Sequence, residues 1–287
     1  MGNKMTRNVM IIGAGGSLGY ELCSKLHNSY SVSAVDRCEN RLAYIQRIYK
    51  MPTYLIDIED TDSLIEVIEN NNVDLVINTA ALKHVKSCED RIEKAIDINI
   101  LANLRLVKYL KKRGKEFIYI SSDKAINPTN VYALSKQFTD YFVTTNKYKL
   151  VRGVNFVYSK GSVIDIWERQ RLAKSPFTLV DEDCIRYFIT VTQMADLVCD
   201  AMLDSSGKVE FNPHTVYRIN IRHMFDAYVS IYGLFDYEIN PIHLDNCEKL
   251  VEDLDFNPRI LDLKSTSEIA DLLRECFKHY GMVDQSI

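Results

Sequence analysis

Residues 9–19, Val9-Met10-Ile11-Ile12-Gly13-Ala14-Gly15-Gly16-Ser17-Leu18-Gly19, decide the fold. An apolar run short enough for a buried strand passes through a glycine loop into an amphipathic segment that continues over 18–26. Glycines let phosphates approach the chain closely, and the amides of an opening helix face an anion. Glycine also serves plain tight turns. Here a strand precedes the loop, a helix follows it, and Asp36 closes the second strand, so the context is that of a dinucleotide site. Gly13, Gly15, Gly16, Ser17, Leu18 and Gly19 are the expected cofactor cradle.

Outward from this loop the first half alternates strand-like and helix-like runs. Val32–Val35, Tyr54–Ile56, Leu75–Ile77 and Phe117–Ile120 read as strands, and 41–49, 63–69 and a long segment over 91–112 read as helices. That rhythm predicts an α/β fold with a doubly wound parallel sheet and right-handed crossovers. After Leu150 the rhythm loosens, with a further strand at 149–152, a loop at Tyr158–Ser162, and irregular short elements beyond. The expected organisation is a cofactor domain over 1–150 and a small substrate-binding lobe over 151–287 that interleaves with it.

Bulk properties set the class. The 287 residues carry 35 basic and 39 acidic side chains, which leaves no basic excess to hold nucleic acid. The seven cysteines, at 23, 38, 88, 184, 199, 247 and 276, are odd in number and form no CxxC, so reduced thiols are expected rather than disulfides or a zinc ribbon. No apolar run reaches membrane-span length and no signal-peptide core is present, so a cytoplasmic protein without membrane attachment is expected. Gly2 fits a loose myristoylation pattern, but the first strand begins too soon after it to leave a free tail. The acidic run Asp181-Glu182-Asp183 lacks histidines at ligand spacing and reads as a solvated loop, so no metal is expected.

The cofactor's identity stays open on residues alone. Asp36 is suited to accept from both ribose hydroxyls, which favours NAD, while the adjacent Arg37 suits a 2′-phosphate, which favours NADP. Asp57 and Ile58, after the third strand, are placed to contact the adenine. Ala80 and Ala81, after the fourth, are small where the chain must pass close to the cofactor.

The chemistry is expected in Tyr119–Lys136, YISSDKAINPTNVYALSK. Tyr132 and Lys136 are four residues apart and share a helix face. A phenol of pKa about 10 is a poor base at neutral pH, and a nearby ammonium favours its phenolate. Ser122 or Ser121 supplies the accompanying hydroxyl. Oxidising a sugar carbinol needs only Tyr132 and Lys136. Once a ketone exists, the hydrogen on the neighbouring carbon is acidic, and an acid at the next hydroxyl can expel water. Asp123 as acid and Lys124 as base suit that step if both have shifted pKa values. Taken without other context, the pair reads equally well as an exposed turn.

Longer strings add a resemblance. The glycines at 13, 16 and 19 have the spacing of the short-chain dehydrogenase/reductase superfamily, with its Rossmann-type sheet. Thr79-Ala80-Ala81-Leu82-Lys83-His84-Val85 and Ser122-Asp123-Lys124-Ala125-Ile126-Asn127-Pro128-Thr129-Asn130 resemble the UDP-N-acetylglucosamine 4,6-dehydratases within it. Val151-Arg152, Asn155, Ser159–Val163, Arg186–Thr190 and Glu248–Glu252 follow in register. The resemblance implies Asp123, Lys124 and Tyr132 as catalytic residues, Lys136 beside the nicotinamide ribose, and Lys83 beside nicotinamide and sugar. It implies Asn155, Lys160 and Arg186 around the nucleotide diphosphate, and NADP rather than NAD as the resident cofactor. The family's arginine before Glu248 is missing here, and Arg222 or Arg218 is the expected substitute. Gly153 stands where an aromatic is usual.

Stand-alone soluble members of that family tend to invert C5, whereas membrane-anchored relatives, often with Met in place of the Tyr, retain it. Tyr132 therefore points to inversion, with Lys124 as the base. A UDP-sugar 4-epimerase is the alternative enzyme, sharing the glycine loop and Tyr-Lys pair without needing Asp123 and Lys124. A C5-retaining dehydratase and a non-catalytic NADP-binding sensor are further alternatives. Apolar residues on more than one stripe of 91–112 and 132–146, including Phe138, Tyr141 and Phe142, imply a homodimer or higher homo-oligomer.

Overall fold

The computed structural model describes residues 7–180, 184–244, 249, 251–252, 254 and 256–279. The expectations placed on Gly2, Asp181-Glu182-Asp183, Cys247 and Glu248 lie outside those residues. Two compact units emerge, one of Met1–Gly153 with Thr192–Asn212, the other of Val154–Val191 with Pro213–Ile287.

In the first unit the chain runs β1 (Asn8–Ile12), α1 (Ser17–Leu26), β2 (Ser31–Asp36), α2 (Glu39–Tyr49), β3 (Thr53–Leu55), α3 (Thr61–Asn70) and β4 (Leu75–Asn78). It continues through α4 (Val85–Asp90), α5 (Ile92–Ile96), a π-turn (Asp97–Leu101), α6 (Ala102–Arg113), β5 (Glu116–Ser122), a 3₁₀ turn (Asp123–Ala125), α7 (Val131–Thr145) and β6 (Lys149–Gly153). Each strand reads as a nearly unbroken apolar run because helices cover both faces of a parallel sheet. Met10, Ile12, Val35, Val76 and Phe117 accordingly pack in one core with Leu64, Leu106 and Leu110 from the helices.

The long helix expected over 91–112 runs from Ile92 to Arg113, with a π-turn at Asp97–Leu101 inside it. Arg91, at φ −141° and ψ 61°, breaks α4 from α5, and the π-turn then inserts a wider turn before α6. A π-turn shifts side chains around the axis, and this one carries Asn99 into the interior.

Within the second unit lie β7 (Asn155–Phe156), α8 (Val163–Ala173), β8 (Phe177–Val180) and β9 (Ile185–Ile189). The chain then supplies the first unit with α9 (Val191–Leu203) and β10 (Glu210–Phe211) before returning with β11 (Thr215–Asn220), α10 (Ile221–Ile231), β12 (Ile239–Ile242), β13 (Arg259–Leu263) and α11 (Thr266–His279). The sheet order of the first unit is β10-β6-β5-β4-β1-β2-β3, all pairings parallel. The winding of successive strands reverses between β1 and β4, which opens the crevice where such sheets hold ligands. The second unit has a sheet of order β13-β11-β9-β7 and a β12-β8 pair, over a core of Trp167, Phe177, Phe225 and Tyr228.

On α7 an apolar stripe faces outward: Leu134, Phe138 and Tyr141 are 54%, 54% and 75% exposed. Phe142, expected on that stripe, packs partly buried against the core instead. No helix among the described residues is long and apolar enough to cross a membrane.

Candidate active site

The glycine loop is built by close approach. Gly13 adopts φ +81°, and its amide and that of Ala14 donate to Val35 O at 2.9 and 3.0 Å. A Cβ on Gly13 would fall 2.7 Å from Ala80 N, and one on Gly19 2.2 Å from Gly13 O. Neither position accepts a side chain, so the loop is pressed onto the ends of β1 and β4. Thr79 Oγ1 donates to Ile12 O and Gly13 O at 2.9 and 3.1 Å and fixes the same junction. Gly16 caps α1 without a side chain, which leaves the first amides of that helix for an anion. These features fit a dinucleotide pyrophosphate.

Asp36 closes β2 as expected, with Oδ2 accepting from Gly15 N (2.8 Å) and Oδ1 from Cys38 N (2.9 Å). Arg37 is 65% exposed in its side chain and pairs loosely with Asp57 at 3.7 Å. A second guanidinium, overlooked in the sequence reading, lies on the same rim: Arg41 of α2 donates to Gly15 O. Its only signal in the sequence is an arginine four residues after Arg37. Ile58 is buried in the core with Met10 and Leu64, so Asp57 is the polar member of that pair. Leu18 is likewise buried, Ser17, Ala80 and Ala81 are half-buried, and Lys83 is exposed.

At the end of β5, Ser122 Oγ donates to Asp123 Oδ1 at 2.7 Å and accepts from Lys124 N at 3.3 Å. Asp123 is not an exposed turn residue. It is 4% exposed, and its Oδ2 is buried with no hydrogen-bonding partner. Such an oxygen is costly to leave unsatisfied in a stable protein and is available to a substrate hydroxyl. The Lys124 ammonium lies 3.5 Å from Asp123 Oδ1 with its side chain partly open to solvent.

Helix α7 delivers the other pair. Asn130 caps it, accepting from Ala133 N at 2.9 Å, and Glu89 of α4 accepts from Val131 N at 2.7 Å. One buried face then presents Tyr132, Lys136 and Asp140 in successive turns. Burial pushes the Tyr132 phenol up to about 12, against the pull of the Lys124 charge and the Ser122 hydroxyl. Burial also lowers Lys136 to about 8, opposed by the Asp140 carboxylate. The expectation that Lys136 favours the phenolate is therefore revised: the cation that draws Tyr132 down is Lys124, and burial outweighs it. Lys136 Nζ donates to Ile120 O at 2.8 Å and lies 4.6 Å from the centre of the Tyr119 ring.

Asn99 is a further site residue missed in sequence. Its side chain accepts from Leu82 N (2.9 Å) and donates to Leu82 O and Ser135 Oγ (both 3.0 Å). It ties the segment before Lys83 to α7. The only hint in the sequence was a polar residue within an otherwise apolar stripe.

In the second unit, Asn155 on β7 and Arg186 on β9 meet at Glu252. Asn155 Nδ2 donates to Glu252 Oε2 at 2.7 Å and to Tyr187 O at 3.0 Å, and Arg186 Nε lies 3.5 Å from Glu252 Oε1. Lys160 is exposed in the loop before α8. Arg222 on α10 pairs with Asp226 at 3.1 Å, and Arg218 on β11 pairs with Asp262 at 3.1 Å.

The Polysaccharide biosynthesis protein family matches residues 9–271. The chain belongs to that family. It is 30% identical over 222 residues to a probable polysaccharide biosynthesis protein, EpsC, of Bacillus subtilis, covering 71% of this chain and 37% of the relative. It therefore spans just over a third of that relative's length. It is 28% identical over 179 residues to an inverting UDP-N-acetylglucosamine 4,6-dehydratase of Campylobacter jejuni, covering 57% of this chain and 53% of the relative. Among solved structures, Pen from Bacillus thuringiensis superposes with a TM-score of 0.86 at 24% identity, covering 96% of this chain and all of the other. The UDP-glucose 4-epimerase of Thermus thermophilus, solved with NAD, superposes with a TM-score of 0.77 at 17% identity, covering 94% of this chain and 99% of the other. At these identities the two structures speak for the α/β Rossmann-like fold. The chain thus falls in a family of extended short-chain dehydrogenase/reductase proteins whose members include nucleotide-sugar dehydratases and epimerases.

Proposed function

We propose that this protein is an NADP-dependent UDP-N-acetylglucosamine 4,6-dehydratase that inverts C5. The observation that carries the reading is Asp123: a buried carboxylate with one oxygen unpartnered, beside Lys124 and within the same site as Tyr132. A 4-epimerase has no use for that pair.

Bound NADP would take up the hydride from C4 and return it to C6 after water has left. The chain's own residues manage the protons. Tyr132 takes the proton of the C4 hydroxyl, with Ser122 holding that oxygen. With C4 a ketone, Lys124 as the neutral amine removes the proton from C5 and Asp123 as the protonated acid delivers one to the departing C6 oxygen, so that water leaves. A solvent proton then reaches C5 from the face opposite Lys124, which inverts it. Lys136 orients the nicotinamide ribose. The residues that would hold the cofactor are Gly13, Gly15, Gly16 and Gly19 at the pyrophosphate, Asp36 at the ribose, and Arg37 with Arg41 at a 2′-phosphate. Both carboxylate oxygens of Asp36 already serve backbone amides, the Arg41 guanidinium lies on Gly15 and Arg37 follows Asp36 with its side chain exposed, which together favour NADP over NAD. Asn155, Lys160 and Arg186 would hold the nucleotide, with Lys83 at the sugar and Arg222 released from Asp226 to meet the diphosphate.

Support for inversion is Tyr132 together with the likeness to Campylobacter enzymes described as inverting. Support for a homodimer is the outward stripe of Leu134, Phe138 and Tyr141 on α7. Curated UDP-glucose 4-epimerases from Rickettsia at 26% identity keep the epimerase as the second reading. Mass spectrometry of the product from UDP-N-acetylglucosamine separates the two. Loss of one water is expected, and an isomer of unchanged mass would favour the epimerase.

A further inference from the structure

Beneath Tyr132 and Lys136 lies an ionic arrangement that the proposed reaction does not itself consume. Asp140 and Arg152 are 8% and 6% exposed. Asp140 Oδ2 accepts from Arg152 Nη1 and from Ser121 Oγ, each at 2.8 Å. The same Nη1 donates to Ser122 O at 3.0 Å and approaches Ser121 Oγ at 3.3 Å. Nε and Nη2 reach Glu210 Oε1 on β10 at 3.1 and 2.9 Å. The guanidinium thus grips the carbonyl of the residue immediately before Asp123. The second oxygen of Asp140, Oδ1, is buried with no hydrogen-bonding partner.

Stability is a poor reason for such a pair. Desolvating two charges offsets most of their attraction, and apolar replacements of similar volume are often neutral or better. An unsatisfied carboxylate oxygen adds to the cost. The negative charge does have a target. Lys136 precedes Asp140 by one turn on the same face of α7, and its ammonium has a carbonyl and an aromatic ring beside it, neither carrying a full charge. Titratable and charged groups around it are Tyr132 and Asp140 on α7, Tyr119 on β5, Cys88 on α4 and Arg152 on β6. Among the described residues, the carboxylate acting on Lys136 is Asp140.

We propose that Asp140 and Arg152 are positioning residues for the reaction centre: the carboxylate keeps the Lys136 ammonium charged, and the guanidinium pins the Ser122 carbonyl and with it the strand end that presents Asp123 and Lys124. The proposal rests on Tyr132 and Lys136 being the redox pair. Without the Asp140 charge, a buried Lys136 gives up its proton at lower pH and no longer presents a cation to the cofactor's ribose. Without the Arg152 grip, the Ser122 carbonyl before the turn carrying Asp123 loses its charged anchor.

The test reads Lys136 directly. In protein labelled with ¹³C at lysine Cε, the Lys136 resonance is assigned by its loss in Lys136→Arg and followed against pH. The wild-type midpoint is expected near pH 8. Asp140→Asn should lower it by roughly one unit or more, since a carboxylate at this spacing shifts a neighbour by that order. Asp140→Glu should restore most of the difference. An unmoved midpoint in folded Asp140→Asn overturns the proposal. Should that variant fail to fold, Asp140→Ser, which removes the carboxylate and leaves Arg152 in place, is read in the same way. The same downward shift is expected there, and its absence equally overturns the proposal. Because the titration needs no substrate, wild-type protein that never turns over a nucleotide sugar would sink the redox reading separately. Active wild type with an unshifted midpoint in Asp140→Asn would sink only the positioning role.

Discussion

Asp123→Asn is the substitution that best separates chemistry from architecture. It preserves the shape at the end of β5 and keeps an acceptor for Ser122 Oγ, now 2.7 Å away, while removing the acid. Two effects on folding are small. The Asp123–Lys124 pair spans 3.5 Å with the lysine 27% exposed, and such partly open pairs are worth about 1 kcal/mol or less. The atom replacing Oδ2 inherits a place that already lacks a partner, so one unsatisfied group is exchanged for another. The effect on reaction is large. Losing a general acid costs about 10²–10⁴ in rate, which at ~1.4 kcal/mol per tenfold is about 3–5 kcal/mol of barrier. The first half-reaction does not use this acid. Asp123→Asn mixed with UDP-N-acetylglucosamine should therefore accumulate reduced nicotinamide, visible by its near-ultraviolet absorbance, and form little dehydrated product. Thermal unfolding should be nearly that of the wild type. Wild-type product formation in this variant would refute the assignment of Asp123.

Three further outcomes follow from the same geometry. Lys136 sheds its proton near pH 8 in the folded state and near its ordinary value of about 10.4 when unfolded; in that window the unfolded chain binds more protons, so stability should rise with pH by up to about 3 kcal/mol. Taken as the difference from Lys136→Met in denaturant titrations, this cancels the thiols and phenols, and a flat difference between pH 7 and 10 would contradict it. Arg37→Ala combined with Arg41→Ala should weaken NADP binding by roughly tenfold or more and leave NAD nearly unaffected, because only the 2′-phosphate loses charge-assisted bonds; isothermal titration checks it, and equal losses for both would move the phosphate site elsewhere. Phe138→Glu places a charge in the outward stripe of α7 and should turn the proposed dimer into monomer in sedimentation velocity while changing the stability of the monomer by no more than about 0.5 kcal/mol, as for an exposed position.

Much of this was legible before any coordinates. The apolar strand runs and the glycine loop carry their own physics: a parallel sheet covered on both faces needs unbroken apolar strands, and Gly13 and Gly19 sit where a Cβ would strike backbone. Tyr132 and Lys136 were readable because helical spacing alone puts them on one face. Other features depend on tertiary placement. Whether Asp123 and Lys124 formed a surface turn or a buried site could not follow from their adjacency, because burial comes from how β5 ends against α7. Asn99 escaped because a π-turn breaks the regular period on which a helical reading relies. Arg41 escaped because its contact with Gly15 joins α2 to a loop many residues earlier. The direction of the Tyr132 shift was misjudged for a related reason: sequence spacing reveals the neighbouring charge, whereas desolvation is set by everything packed around the phenol.

The central claim is that Asp123 and Lys124 turn a transient C4 ketone into water loss. Proton NMR of the wild-type protein with UDP-N-acetylglucosamine in deuterated water tests it most directly. A C6 methyl group on a 4-keto sugar, deuterium at C5 and the inverted C5 configuration are expected. A product that keeps its C6 hydroxyl and differs only at C4 would contradict it.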